Sequence, residues 1–380
     1  MIARILRNPS ATHTRREASH GQEGRRHRLS RHRSDRHQRH LLGGCGAQRG
    51  QDGGRHLARP AHRRDREARR QDRGRQGSAV PRPPRSVIQV RGLSLLQARR
   101  RSVQCASPKG LHRIAYLEWG DPRNRDVLVC VHGLTRSAQD FDSLARELCS
   151  QFRVVCPDVA GRGDSDRLAD PMLYAVPQYV ADMVTLIARL DVEAVHWVGT
   201  SMGGLIGMAL AALAATPVRK LVLNEAGPVI GRAALERMAA YVGLQPEFPD
   251  MAQAEEYVRR ISAPFGRHSD AEWRLLTESW VRKGDDGIYR PRYDPGIAAA
   301  FAVPEKDLEL WLIYDAVRCP TLVLRGELSD LLSPETAAQM TRRGPKARLV
   351  EIAGVGHAPT LMHADQIAIV RDFLLEGEVR

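Results

Sequence analysis

The sequence predicts an α/β fold: a mostly parallel, doubly wound sheet with an inserted helical cap, behind a disordered Arg-rich extension. Three observations lead there. From about residue 103, apolar runs of strand length alternate with helical patterns, the rhythm of strands joined by crossover helices. One interval between successive strands, over residues 228–312, is far too long for a loop and carries its own helical text. Composition also changes abruptly near residue 100. The first hundred residues hold 26 Arg, no Lys and 7 acids, a balance of +19, while the remaining 280 hold 32 basic and 37 acidic residues, a balance of −5.

The first element is therefore the extension, residues 1–102. All 19 aromatic residues lie beyond residue 100, and 8 of the 14 His lie before it. A segment such as RRHRLSRHRSDRHQRH has too little apolar surface to offset the entropy lost on ordering, so it is expected to be disordered. Its composition resembles G+C-rich DNA read in an unintended frame or from a start codon placed too early. A flexible tail, a targeting segment and a polyanion-binding tail remain alternatives. Nucleic-acid tails usually mix Lys with Arg and carry aromatics, and this one does neither, so nucleic acid is not the expected partner. The whole-chain charge of +14 thus describes no single folded body.

The second element, residues 103–227, is the first part of the core. Strands are read at LHRIAYLEWG (111–120), DVLVCVHG (126–133), FRVVCPD (152–158), AVHWVGTS (194–201) and KLVLNEAG (220–227). Their apolar residues are consecutive, as in strands covered on both faces. Helical patterns at 141–151, 177–191 and 202–215 separate them. The third element, 228–312, is the cap, holding Trp273, Trp280 and Trp311, which are read chiefly as its own small core. The last, 313–380, completes the core with strands at 321–327 and 347–354 and a closing helix at 364–378. No apolar run is long enough to span a membrane. The six scattered cysteines include no C-x-x-C pair, so neither a zinc site nor a disulfide framework is indicated, and a reducing, cytoplasmic setting is expected.

The chemistry centres on VHWVGTSMGGLIGM. Gly199-Thr200-Ser201-Met202-Gly203 is a G-x-S-x-G pattern lying between an expected strand and an expected helix. Glycines two positions either side of the serine permit a turn too tight for side chains, which exposes the Ser201 hydroxyl above the sheet beside a helix N-terminus. A serine nucleophile needs a base, and the base needs an orienting acid. His357, in a Gly-flanked loop after the last strand, is the expected base. His268 in the cap and His363 before the final helix read as surface residues. Asp330, in the loop after the preceding strand, is the expected acid, with Glu225 as a rival after the strand that follows the nucleophile. The oxyanion hole is expected from the backbone N–H groups of Met202 and Leu134. His132 is read as shaping its loop rather than as a base.

These segments together resemble the α/β-hydrolase superfamily, in the cap-bearing branch of small-molecule esterases and meta-cleavage (carbon–carbon) hydrolases. The resemblance covers residues 105–380 and rests on HGLTRSAQDF, CPDVAGRGDSD, GTSMGG, SDLL and GVGHAP. It implies a Ser201–Asp330–His357 triad under the cap, with Asp158 and Asp166 fixing a loop. Haloalkane dehalogenases and epoxide hydrolases of this fold place Asp at the elbow, so Ser201 speaks against both. The loop Leu134-Thr135-Arg136 lacks the glycine and proline usual in carbon–carbon hydrolases. The expected activity is hydrolysis of a small ester, thioester or lactone through an acyl-enzyme, without metal or cofactor. Carbon–carbon hydrolysis and a non-catalytic binding role are the alternatives.

Overall fold

The computed structural model describes residues 96–301 and 303–377. The expectations placed on residues 1–95 lie outside the described residues. Eight strands form one sheet: β1 Arg99–Ser107, β2 Gly110–Trp119, β3 Val127–Val131, β4 Arg153–Pro157, β5 Val195–Thr200, β6 Val218–Asn224, β7 Thr321–Gly326 and β8 Arg348–Ile352. Their spatial order is β1-β2-β4-β3-β5-β6-β7-β8. Pairing from β4 through β8 is parallel, whereas β1–β2 and β2–β4 are antiparallel.

The central parallel strands β3, β4, β5 and β7 are apolar at consecutive positions because both faces are covered. In β3, Val127, Val129 and Val131 join the core on one side of the sheet, with Met183, Ile206 and Leu223. Leu128 and Cys130 join the other side, with Leu144, Val198, Leu324 and Phe373. The covering helices are α1 Asp142–Leu148, α2 Val176–Arg189 and α3 Met202–Ala211 early in the chain, with α9 Pro334–Met340 and α10 Ala364–Leu375 at its end.

The strand β1 was not anticipated, and it moves the start of ordered structure ahead of residue 103. Arg99–Ser102 pair with Glu118–Ala115 of β2. Only Val103 and Cys105 of β1 are buried, as suits an edge strand, so its three leading arginines read in sequence as part of the basic extension. Arg99 and Arg101 point to Glu118, a buried carboxylate that Arg153 also pairs at 2.7 Å.

Between β6 and β7 the chain makes the long insertion. It holds α4 Arg232–Ala239, α5 Met251–Ile261, α6 Asp270–Trp280, α7 Ile297–Ala300 and α8 Trp311–Ala316. It is not wholly helical. Val281–Lys283 pairs antiparallel with Tyr289–Pro291, and Val229–Ile230 pairs antiparallel with Leu308–Glu309. That second pair ties the entry of the insertion to its exit. An aromatic cluster packs inside, with Trp280 stacked on Tyr257 at 5.6 Å between centroids and Phe248 alongside. Among the described residues, no helix is long and apolar enough to cross a membrane.

Candidate active site

The C-terminal ends of β3, β5, β6, β7 and β8 meet at one rim of the sheet, the edge where parallel sheets place their ligands. Ser201 follows β5 and precedes α3, with φ 52° and ψ −113°. A non-glycine residue in this region is strained, and such strain persists only where surroundings enforce it. Here they do. A Cβ on Gly199 would collide with the Gly203 backbone, and one on Gly203 with the Val131 carbonyl. The turn therefore admits only glycine at these two positions. Ser201 makes no side-chain cap bond to its helix, which leaves the hydroxyl for the cavity.

His357 follows β8 and is half-buried, with Nδ1 3.2 Å from Glu225 Oε2. Ser201 and His357 line the same cavity. The structure does not bring Asp330 to His357. Asp330 stands four residues past the end of β7, is 57% exposed, and pairs with Arg237 at 2.9 Å. Glu225, the rival carboxylate, occupies the position instead. It directly follows Asn224, the last residue of β6, and its φ of 54° turns the side chain inward. The carboxylate is fully buried and densely held. Gly326 N–H donates to Oε1 at 2.5 Å and the Ser329 hydroxyl to Oε2 at 2.6 Å. Burial of a carboxylate is tolerable only with such partners.

Ser329 was missed in the sequence, where its neighbour Asp330 drew attention. Its hydroxyl oxygen accepts from Leu331 N–H and Leu332 N–H while its proton goes to Glu225. The loop after β7 thus supports the carboxylate that faces His357. The sequence signal that could have found this is a lone acid, Glu225, closing the apolar run LVLN.

Leu134 and Met202 flank Ser201 in the cavity wall, and no protein acceptor takes either backbone N–H among the described residues. Both are braced by Arg162, which is 1% exposed. Its Nε donates to the Leu134 carbonyl at 2.9 Å, and Nη2 lies 3.7 Å from Met202 Sδ. Nη1 donates to Tyr179 Oη and the Ala160 carbonyl. Arg162 has no carboxylate partner among the described residues. Its guanidinium lies over the rings of Tyr174 and Tyr179 at 5.5 and 5.2 Å, contacts that stabilise a desolvated cation. Asp158 and Asp166 fix loops as expected: Asp158 accepts from the N–H groups of Ala138 and Asp164, and Asp166 from that of Arg113.

His132 shapes its loop. Val159 N–H donates to Nε2 at 3.0 Å, so the ring proton must sit on Nδ1, which donates to the Gly133 carbonyl at 2.7 Å. Burial pushes its pKa down to about 4. An unfolded histidine titrates near 6.5, so this neutral ring contributes its full stability above pH 6.5 and loses it as pH falls toward 4. Its share of the loss at pH 5 is expected to be about 2 kcal/mol. His196, also pushed down to about 4 by burial, acts in the same direction. Urea unfolding at pH 7 and pH 5 measures the slope, and His132→Gln should remove the His132 share.

The expectation that His268 is a surface residue does not hold: its side chain is fully buried, whereas that of His363 is 32% exposed. Two adjoining cavity lobes share Ser201, Leu134 and Met238. One, of about 330 Å³, is walled mainly by apolar side chains such as Leu205, Ile230 and Leu308. The other, of about 480 Å³, carries Arg136, Arg237 and Arg260 beside Tyr257, Trp280 and His357.

The description of the α/β hydrolase fold matches residues 126–364. A "3-hydroxybutyrate-oligomer hydrolase" of Cupriavidus necator is 52% identical over 280 residues, covering 71% of this chain and 96% of that protein. A "2-hydroxymuconate semialdehyde hydrolase" of a Pseudomonas species is 28% identical, covering 61% of this chain and 80% of that protein. The crystal structure of an alpha/beta hydrolase from Novosphingobium aromaticivorans superimposes with a TM-score of 0.67 at 35% identity, over 73% of this chain and 98% of that one. On the sheet order, the strained serine turn and these matches together, the chain is an α/β-hydrolase-type enzyme and belongs to the α/β-hydrolase fold family.

Proposed function

We propose that the chain is a serine hydrolase that cleaves carboxylic esters through an acyl-enzyme on Ser201, with oligomers of short 3-hydroxy acids as its substrate class. The observation that carries this is the strained Ser201 in one cavity with His357, whose Nδ1 faces the buried Glu225. Ser201 Oγ attacks the ester carbonyl carbon while His357 Nε2 takes its proton. Glu225, bonded to Nδ1–H, holds the ring in the tautomer that leaves Nε2 free. The oxyanion accepts from Leu134 N–H and Met202 N–H at the positive end of α3. His357 then returns the proton to the departing alkoxide oxygen. Water, deprotonated by the same ring, frees the acyl group.

The substrate class rests on two supports. The relative 52% identical over most of its length is named for 3-hydroxybutyrate oligomers. The two lobes meeting at Ser201 also suit an ester with substantial groups on both sides of the scissile bond. The apolar lobe fits a short methyl-branched acyl unit, and the arginine-bearing lobe a chain that ends in a carboxylate. There Arg260 has no carboxylate partner among the described residues, only the Tyr257 ring at 5.2 Å.

The test is incubation with 3-hydroxybutyrate dimer and trimer, with monomer release followed by chromatography, beside fluorophosphonate labelling mapped to its peptide. Release of monomer and a label on Ser201 are expected. A label without oligomer cleavage would leave the serine hydrolase and remove the substrate class. Neither label nor cleavage of any ester would remove both.

A further inference from the structure

The insertion and the core meet at a cluster of three side chains that the reaction above does not use. His268 immediately precedes Ser269, the N-cap of α6, and Glu272 lies within the first turn of that helix. His363 is the N-cap residue of α10 on the core side. The two imidazole rings lie 4.8 Å apart. His363 Nε2 is 3.3 Å from Glu272 Oε1, and His268 Nδ1 is 3.9 Å from Glu272 Oε2. One ring nitrogen from each histidine and one carboxylate oxygen fall within 4.8 Å of one another.

Protein groups alone leave this arrangement poorly satisfied. The His268 side chain has no exposed surface, packs its ring edge-on to Trp273, and makes no hydrogen bond of normal geometry at either nitrogen. A buried polar group without a partner is costly, and the histidine facing it offers no relief, because two charged rings at this distance repel. A cation between them would accept a lone pair from each ring and balance the carboxylate charge. Ligands at about 2.0–2.1 Å from a tetrahedral ion lie about 3.3 Å apart; His363 and Glu272 already stand at that separation, and all three ligand atoms lie within 4.8 Å of one another, so small side-chain shifts would close the shell. The carboxylate is also aimed. Ser269 donates both its backbone N–H and its hydroxyl to Oε2, at 2.7 and 2.8 Å, leaving Oε1 to the cluster. Outer-sphere bonds of this kind orient metal ligands.

We propose that His268, Glu272 and His363 form a binding site for a divalent transition-metal ion of the zinc class, which fastens the insertion to the core. Two imidazoles and one carboxylate make a borderline donor set suited to such ions, with water completing the shell. Partial exposure of Glu272 and His363 provides an entry path. Among the described residues, the other cluster of ligand type, Cys105, His112 and Asp182, is sealed, and its His112 Nε2 is already bonded to Asp182 at 3.0 Å. The proposed ion would sit just behind the cavity wall. Gly356 N–H donates to the Pro264 carbonyl at 2.7 Å, so the segment leading to His268 leans on the loop that presents His357.

The experiment uses the full chain, stripped with chelator and titrated with Co²⁺ and Zn²⁺. Because the first hundred residues carry 8 His of their own, stoichiometry is read as a difference from His268→Gln and His363→Gln. The unsubstituted protein should bind one more ion than either variant, show a visible Co²⁺ absorption that both variants lack, and gain about 5 °C in Tm with Zn²⁺. Crystals soaked in Zn²⁺ and measured on both sides of the zinc edge should give an anomalous peak between the three side chains. That measurement needs no variant to fold. Equal stoichiometry in all three proteins, or no peak at the cluster, would overturn the site.

Discussion

Ser201→Ala is expected to lower kcat for ester cleavage by a factor on the order of 10⁵, with fluorophosphonate labelling lost altogether. The size of the effect follows from the role proposed for the serine: without Oγ no acyl-enzyme can form, and the N–H groups of Leu134 and Met202 would have only a water attack to stabilise. Folding should be untouched, because Ser201 makes no side-chain cap bond and alanine has the same Cβ at the same strained φ. Equal Tm values with turnover abolished is the outcome sought. Turnover within about tenfold of the parent, on the scale of such triad deletions, would mean that some other group carries the reaction.

The carboxylate pair provides the second large effect. Glu225→Gln should reduce kcat by about 10⁴, the size found when a triad acid is converted to its amide, whereas Asp330→Asn should stay within about threefold, since it removes only an exposed pair with Arg237. Three donors converge on the two Glu225 oxygens: Gly326 N–H, the Ser329 hydroxyl and His357 Nδ1–H. An amide keeps the shape but must aim its own N–H₂ at one of them, leaving a buried donor unsatisfied or reversing the tautomer of His357. A loss of about 1–3 kcal/mol in stability should accompany the kinetic loss. If Asp330→Asn is the variant that collapses and Glu225→Gln is not, the acid must be reassigned to Asp330.

This contrast also marks what a single sequence can reveal. The elbow is legible because its cause is local: Gly199 and Gly203 are dictated by contacts a few residues away, and the strand and helix around them have clear periodicity. The five central strands from β3 to β7 were legible for a similarly local reason, their runs being largely apolar on consecutive positions. The acid was not. Asp330 and Glu225 both follow the serine and precede the histidine in chain order. What separates them is burial, which depends on β6 and β7 lying side by side in register. The strand β1 was hidden by its arginines, which on an edge need only Val103 and Cys105 to face inward. Likewise His268 reads as a surface residue of the cap until α6 and α10 are brought together. Side chains whose surroundings come from distant segments were the ones misjudged.

The insertion leaves and rejoins the sheet through a single short strand pair, Val229–Ile230 against Leu308–Glu309. Everything between those strands is one contiguous stretch of chain, held against the core by bonds such as Gly163 N–H to the Arg292 carbonyl and Asp294 N–H to the Gly161 carbonyl. Glu225 lies outside that strand pair, on the side of β6. The proposed triad therefore lies wholly outside the insertion, while part of the cavity wall lies within it. A lineage could exchange the substrates it recognises by remodelling one contiguous stretch of its gene, without disturbing the strand ends that carry Ser201, Glu225 and His357.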